Sequence, residues 1–280
     1  MGALKPHRLL LASASVRTRT FFTNALQRED RSIRCASSLE EALECAQAEP
    51  CELVAACQDV DSSGGLRLLR RLHALQPGAR VILTGPGGAA AVVAAMRAHA
   101  YAYFPEPVSR LHLGDMAELA LESHSWADDI RIASADPCWI GFEVRAKVEA
   151  AERAVQFARA IVAGLPEAAA EDVAAAFREL LFNAVEHGGK LDPRKRVRVS
   201  LVIGRRSVSG FIQDPGKGFS VGRVPHAAIS NPDDSPTRHL EIRDQAGQRP
   251  GGFGIMISRS LVDELAYNQQ GNAAMFVKYL

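Results

Sequence analysis

Two hydrophobic rhythms divide the chain. Up to about residue 124, short apolar runs alternate with helical patterns; beyond about residue 138, two long helical stretches precede segments of strict alternation. In the first part, Leu9–Ser13, Glu52–Cys57 and Arg80–Thr84 are apolar over most of their length, as strands buried on both faces must be. Ser38-Leu-Glu-Glu41 is a capping-box pattern that opens an Ala/Glu/Leu helix. The stretch after Gly65 places leucines on one side and arginines on the other, an amphipathic helix. Gly85-Pro-Gly-Gly marks a loop, and an alanine-rich helix comes next, to about Ala100. Strands alternating with helices predict an α/β doubly wound domain over residues 1–124.

The second rhythm predicts something different. Trp139–Ala146 reads as a strand, followed by a helix from about Val148 to Val162 that stops at Gly164. Pro166 starts another helix, which runs through His187 to a Gly188-Gly189 stop. Arg196–Gly204 and Ser207–Asp214 alternate as two antiparallel strands, and Ala273–Tyr279 is the last strand. Helices on one face of a mostly antiparallel sheet make an α+β sandwich over residues 138–280. Residues 125–137 lack sustained periodicity and read as a linker, with Ile130 and Ile132 docked on one domain. Trp126 and Trp139 flank it as packing residues.

Composition adds limits rather than identity. A length of 280 residues suits two domains, and 47% apolar with 23% charged residues is ordinary for a globular chain. A net charge of +1 gives no basic surface for nucleic acid or for an anionic membrane. The five cysteines lack metal-site spacing and are odd in number, which predicts reduced thiols and a cytoplasmic location. The N-terminus reads neither as a signal peptide nor as a spanning helix.

The candidate chemistry lies in three separated stretches. Glu179, Asn183 and His187 recur every four residues and so share one helical face. Asp214-Pro-Gly216-Lys-Gly218-Phe219 sets a carboxylate before two glycines, where a backbone can turn tightly and approach a ligand. Gly251-Gly252-Phe-Gly254 opens an apolar helix, an arrangement that offers free N–H groups to phosphate. Each has a plain alternative: a decorated helix surface, an ordinary turn, a loop. For His187 the alternative is an aromatic residue packing at a helix end.

All three in this order resemble the ATP site of the GHKL superfamily, which includes histidine kinases, gyrase and anti-sigma factor serine kinases. The closest likeness is to the anti-sigma factor serine kinases, over roughly residues 138–280. The resemblance implies ATP and Mg²⁺ as ligands. Asn183 would hold the metal, with His187 an associated member of the same helix face. Glu179 would be the general base, and Asp214 would accept from the adenine amino group. Gly216 and Gly218 would pass under the purine, while Gly251, Gly252 and Gly254 would face the phosphates. The polar stretch 223–250 would be a lid, with Lys217, Arg243 and Arg249 either phosphate contacts or surface charges. No histidine lies in the helix around 143–163 and His124 falls in the linker, so autophosphorylation on histidine is not expected. A transducer domain of the gyrase type is not expected after Leu280. The likeness implies a homodimer that phosphorylates a serine or threonine of a small antagonist protein and holds a sigma factor or another regulator. A non-catalytic ATP-dependent binding switch and an atypical histidine-kinase-like component remain as alternatives.

The first half resembles the receiver domain of two-component signalling in its frame: Gly65 past one strand, Thr84 ending the next, Pro107 after the last. A working receiver needs an acid pair, an aspartate acceptor and a lysine. The corresponding places hold Ser13 and Ala14, Cys57 and Glu106. A thiol is a poor partner for magnesium, which prefers hard oxygen ligands. The expectation is a pseudo-receiver that takes no phosphoryl group at Cys57, with Asp59 and Asp61 making turn hydrogen bonds.

Overall fold

The computed structural model describes residues 6–63, 65–123, 125–218 and 254–280. They fall into two compact units, Met1–Ala127 and Asp128–Leu280.

In the first unit the elements alternate as β1 (His7–Ala12), α1 (Val16–Leu26), β2 (Arg31–Ala36), α2 (Leu39–Ala48), β3 (Leu53–Cys57), α3 (Leu66–Leu75), β4 (Arg80–Gly85), α4 (Ala89–Arg97), β5 (Ala102–Pro105) and α5 (Arg110–Glu122). The strands are parallel, in the order β2-β1-β3-β4-β5. That is the doubly wound order of the receiver fold. All five residues of the central strand β3 are buried, which explains its unbroken apolar run. Leu9, Leu11, Leu53, Ile82 and Phe104 meet Leu26, Leu113 and Met116 in one core.

Local chemistry fixes the helix starts. Ser15 caps α1 by accepting from Thr18 N at 3.2 Å. Ser38 caps α2 by accepting from Glu41 N at 3.2 Å. The reciprocal half of the expected capping box is displaced by one residue: the Glu41 carboxylate accepts from Ser37 N and Oγ at 2.7 and 2.6 Å. At Gly65, φ is +78°, and an added Cβ would come within 3.1 Å of Leu83.

The second unit contains β6 (Ile130–Asp136), β7 (Trp139–Arg145), α6 (Val148–Val162), α7 (Glu167–Asn183), β8 (Arg196–Ile203), β9 (Ser207–Gln213), α8 (Gly254–Leu261), β10 (Glu264–Tyr267) and β11 (Ala273–Tyr279). Among the described residues the sheet runs β10-β11-β9-β8-β7-β6, with every pair antiparallel. One face is closed by apolar side chains: Phe142, Val144 and Phe276 from the strands are fully buried, as are Phe157, Phe177 and Leu181 from α6 and α7. The alternate positions point the other way. Phe211 and Met275, paired in register on β9 and β11, are exposed there, as are Trp139 and Val202.

Two expectations about the joint need correction. Residues 130–136 of the expected linker form β6, hydrogen-bonded to β7 with an irregularity between Ile132 and Ser134. Just before it, Asp129 is buried against Lys147 Nζ at 2.9 Å and Arg153 Nη1 at 3.4 Å. Asp128 pairs with Arg145, Arg131 and Arg196, and these cations hold its carboxyl down at about 2. Ion pairs and a strand ladder therefore tie the chain into the second unit from Asp128 onward. Trp126 does pack, edge-on to Tyr101 at 5.5 Å in the first unit's core. Trp139 does not; it is 54% exposed on the outer sheet face.

Among the described residues, no helix is long and apolar enough to cross a membrane.

Candidate nucleotide site

Helix α7 carries the first of the three motifs. Its spacing sets Glu179 and Asn183 one turn apart, both half-buried. Helix α8 begins against them at Gly254. A Cβ added to Gly254 would sit 2.8 Å from Glu179 Oε2 and 3.2 Å from Asn183 Nδ2. Only a residue without a side chain lets the start of α8 come this close to both polar groups. The buried Ser258 donates to Gly254 O at 2.8 Å and tightens that first turn. The first motif and the last glycine of the third are thus neighbours in space, although 71 residues separate Asn183 from Gly254 (254 − 183).

The helical path does not stop at Asn183. Residues Ala184–Gly188 continue as a π-helical turn, in which Gly189 N donates to Ala184 O at 2.7 Å. Such widened turns insert an extra residue and re-aim the chain beyond them. Here the turn delivers Gly188 to Asp214. A Cβ on Gly188 would overlap the Asp214 carboxyl, and one on Gly216 would lie 2.7 Å from Asp214 Oδ1 and 3.0 Å from Gly188 Cα. The second motif therefore closes onto the end of the first.

Asp214 itself comes directly after β9. Its Oδ1 accepts from Gly216 N at 2.7 Å, which curls the chain into the Asp-Pro-Gly turn. Burial pushes the carboxyl up from the ordinary aspartate range, and the N–H of Gly216 pulls the other way. Gly218 has φ +77°, and an added Cβ would overlap Gln270 O. Both features restrict that position to glycine.

Sequence reasoning missed the wall behind this turn. The connection between β10 and β11 is organised by Asn268, whose Oδ1 accepts from the backbone N–H of Gly271, Asn272 and Ala273 at 2.8, 3.0 and 3.2 Å. Asn272 O accepts from Asp214 N at 2.9 Å. Asn-x-x-Gly between two apolar strands is a recognisable turn signal, but β10 is too short to announce itself.

Not every predicted position can be placed. Gly251, Gly252, Phe219, Arg243, Arg249 and the expected lid 223–250 lie outside the described residues, as does His124. His187 sits in the π turn with its side chain exposed. Lys217 is exposed, and its carbonyl lies 3.4 Å from Gln270 Nε2.

In the first unit the receiver positions also converge, with changed chemistry. Ser13, Cys57 and Thr84 are buried at the strand ends. Burial pushes the Cys57 thiol up to about 11, although the Thr84 and Ser13 hydroxyls pull the other way. Glu106 accepts from Gln58 Nε2 at 3.1 Å and from Thr84 Oγ1 at 3.4 Å. The Asp59 carboxylate accepts from Ser13 Oγ and Ser15 N, both at 2.9 Å, and Asp61 Oδ1 accepts from Ser63 N at 2.6 Å. Asp61 therefore makes the turn bond expected of it, whereas Asp59 does not: its carboxylate reaches across to the loop after β1 and bonds residues more than forty positions away. All five cysteines are free.

With strand order and site geometry known, the comparisons give the class. Residues 144–278 match the family model of the histidine kinase-like ATPase domain. The second unit carries that domain, and the domain implies ATP binding. Solved structures similar to the first part include three receiver domains. A CheY-like response regulator receiver domain protein from Methanospirillum hungatei JF-1 shares 23% identity over 42% of this chain and 95% of that one, with a TM-score of 0.40. A receiver domain from Clostridium thermocellum shares 19% over 41% and 94%, TM-score 0.38. The signal receiver domain of an HD domain-containing protein from Pseudomonas fluorescens Pf-5 shares 21% over 42% and 96%, TM-score 0.40. Among curated proteins none matches.

Proposed function

We propose that this chain is an ATP-dependent serine/threonine protein kinase of the anti-sigma factor type, with a first unit that takes no phosphoryl group. The observation that carries the reading is the approach of Gly254 to Glu179 and Asn183, which assembles an acid, an amide and a helix start at one point.

The donor set suits Mg²⁺. Asn183 offers a hard amide oxygen, and magnesium takes few protein ligands when phosphates and waters complete its shell. Bound there, the ion would neutralise phosphate charge; Asn183 would hold it.

The remaining steps belong to the chain. Asp214, fixed by Gly216 N, would accept from the adenine amino group and favour ATP over GTP. Glu179 would take the proton of a substrate hydroxyl as its oxygen bonds to the γ-phosphorus and the bond to the leaving ADP oxygen breaks. The Gly254 end of α8 would face the phosphates together with Gly251 and Gly252. The substrate would be a small antagonist protein, and the homodimeric kinase would hold a sigma factor or another regulator in the cytoplasm. In the first unit, Cys57 and Glu106 leave neither an acceptor carboxylate nor a cation at the receiver positions, so this unit would serve as a docking or control module.

The test is incubation with γ-labelled ATP and a candidate antagonist. Label on the antagonist that is lost in Glu179→Ala, with ATP binding retained, supports the kinase. Tight ATP binding with no transfer to any partner supports a non-catalytic switch instead.

A further inference from the structure

We propose that Asn272 is a positioning residue for the nucleotide site: it fixes the Asp214–Gly218 turn and so sets the purine preference of the pocket. The proposal rests on the ATP reading of that turn.

Asn272 opens β11 and is only 9% exposed. Two of its polar groups point at the turn. Its backbone O accepts from Asp214 N at 2.9 Å, and its side-chain Nδ2 lies 3.4 Å from Asp214 O and 3.5 Å from Gly216 O. A third, Oδ1, accepts from Asn268 Nδ2 at 2.8 Å. The side chain is therefore held from behind while its amide faces the two carbonyls that flank Pro215.

Asn268 in turn is committed. Its Oδ1 already gathers the N–H groups of Gly271, Asn272 and Ala273, which fixes the turn between β10 and β11. That turn touches the glycine loop directly, because Gly218 stands against Gln270 O and Lys217 O lies 3.4 Å from Gln270 Nε2. Asn268, Gln270 and Asn272 thus form a polar brace for the turn that carries Asp214.

The brace matters because, apart from the Gly216 N bond to the Asp214 carboxylate and the contact with Gly188, the turn has little of its own to hold its backbone. Gly216 and Gly218 lack side chains to pack, and Pro215 cannot donate. Position must come from outside. A carboxylate distinguishes an adenine amino group from a guanine carbonyl only if its direction is held, and a loose turn lets it swing away from the mismatched base. Loss of the brace should then cost ATP affinity and leave GTP affinity nearly unchanged, so that discrimination falls with it.

The experiment compares wild type, Asn272→Ala and Asn268→Ala by titration with ATP and with GTP, alongside amide hydrogen exchange of the unliganded proteins. Wild type should prefer ATP. Asn272→Ala should lose about tenfold in ATP affinity, the scale of one or two buried hydrogen bonds, with little change for GTP. Exchange at residues 214–218 should rise in both variants, while strands β7 and β8 stay protected. An unchanged ATP-to-GTP ratio in folded Asn272→Ala overturns the proposal. So does unchanged exchange at 214–218, whatever the nucleotide result. If wild type binds neither nucleotide, the ATP reading fails and the purine preference falls with it. Exchange then still decides whether Asn272 braces the turn.

Discussion

Gly188 and Asp214 occupy each other's space: the position a Cβ would take on Gly188 is filled by the Asp214 carboxyl. The two residues are 26 apart in sequence (214 − 188): Gly188 ends the π turn after α7, and Asp214 directly follows strand β9. Gly188 does not have a positive φ, so an alanine there meets no backbone penalty, only the carboxyl. Gly188→Ala should displace Asp214 and weaken ATP binding by about ten- to a hundredfold, the cost of losing a hydrogen bond to a charged group. Calorimetric affinity, with a melting temperature as control for folding, checks this.

Glu179 makes a separate prediction. It lies beside Gly254, one turn before Asn183, and a general base affects turnover more than binding. Glu179→Gln should keep ATP affinity within about threefold and cut phosphoryl transfer by about a hundredfold or more. Single-turnover transfer at saturating ATP is the measurement.

The environment of Asp214 gives a pH dependence. Burial raises its carboxyl pKa, so it takes up a proton at a higher pH than an ordinary aspartate. The acceptor charge is present at neutral pH and disappears as pH falls through that raised value. ATP affinity should therefore drop on mild acidification, before ordinary surface carboxylates titrate. In Asp214→Asn the affinity should start lower and show a flatter profile.

Cys57 predicts behaviour at the alkaline end. Its thiol is pushed from an ordinary 9.0 up to about 11 by burial. A group whose folded pKa is raised stabilises the fold fully below its unfolded pKa and loses that contribution as pH rises through the folded value. Stability of the first unit should thus fall between about pH 9 and 11, by about 2–3 kcal/mol from this group. In Cys57→Ala the slope over that window should be shallower. At pH 7.5, a small alkylating reagent should label exposed Cys35 and Cys138 and spare Cys57. A small phosphodonor should add no mass to residues 1–124.

Burial decides how much of the fold was legible in the sequence. Strands β1, β3 and β4 lie inside the first sheet and carry unbroken apolar runs, so their positions could be read directly. The unassigned strands β2, β6 and β10 are sheet edges. Half of each faces solvent, and Arg31-Ser-Ile-Arg-Cys-Ala carries no run and no clean alternation. The four-residue spacing of Glu179 and Asn183 could be read as one helical face because helix geometry fixes it. The π turn could not, since it depends on how the helix end meets Asp214 rather than on local propensity. Asn268 and Asn272 were invisible for a related reason: their bonds run to segments more than fifty residues away or close a turn behind a four-residue strand. Trp139 misled because an aromatic residue on an alternating strand reads as core on either face.

The account depends most on ATP being gripped where α7, the Asp214 turn and the start of α8 meet. Titration of the full chain with a non-hydrolysable ATP analogue, with and without Mg²⁺, tests this directly. The account predicts one site per chain, tightened by Mg²⁺ in wild type but not in Asn183→Ala, and weakened in Asp214→Ala. Saturable binding that ignores both substitutions, or no binding at millimolar nucleotide, would contradict it.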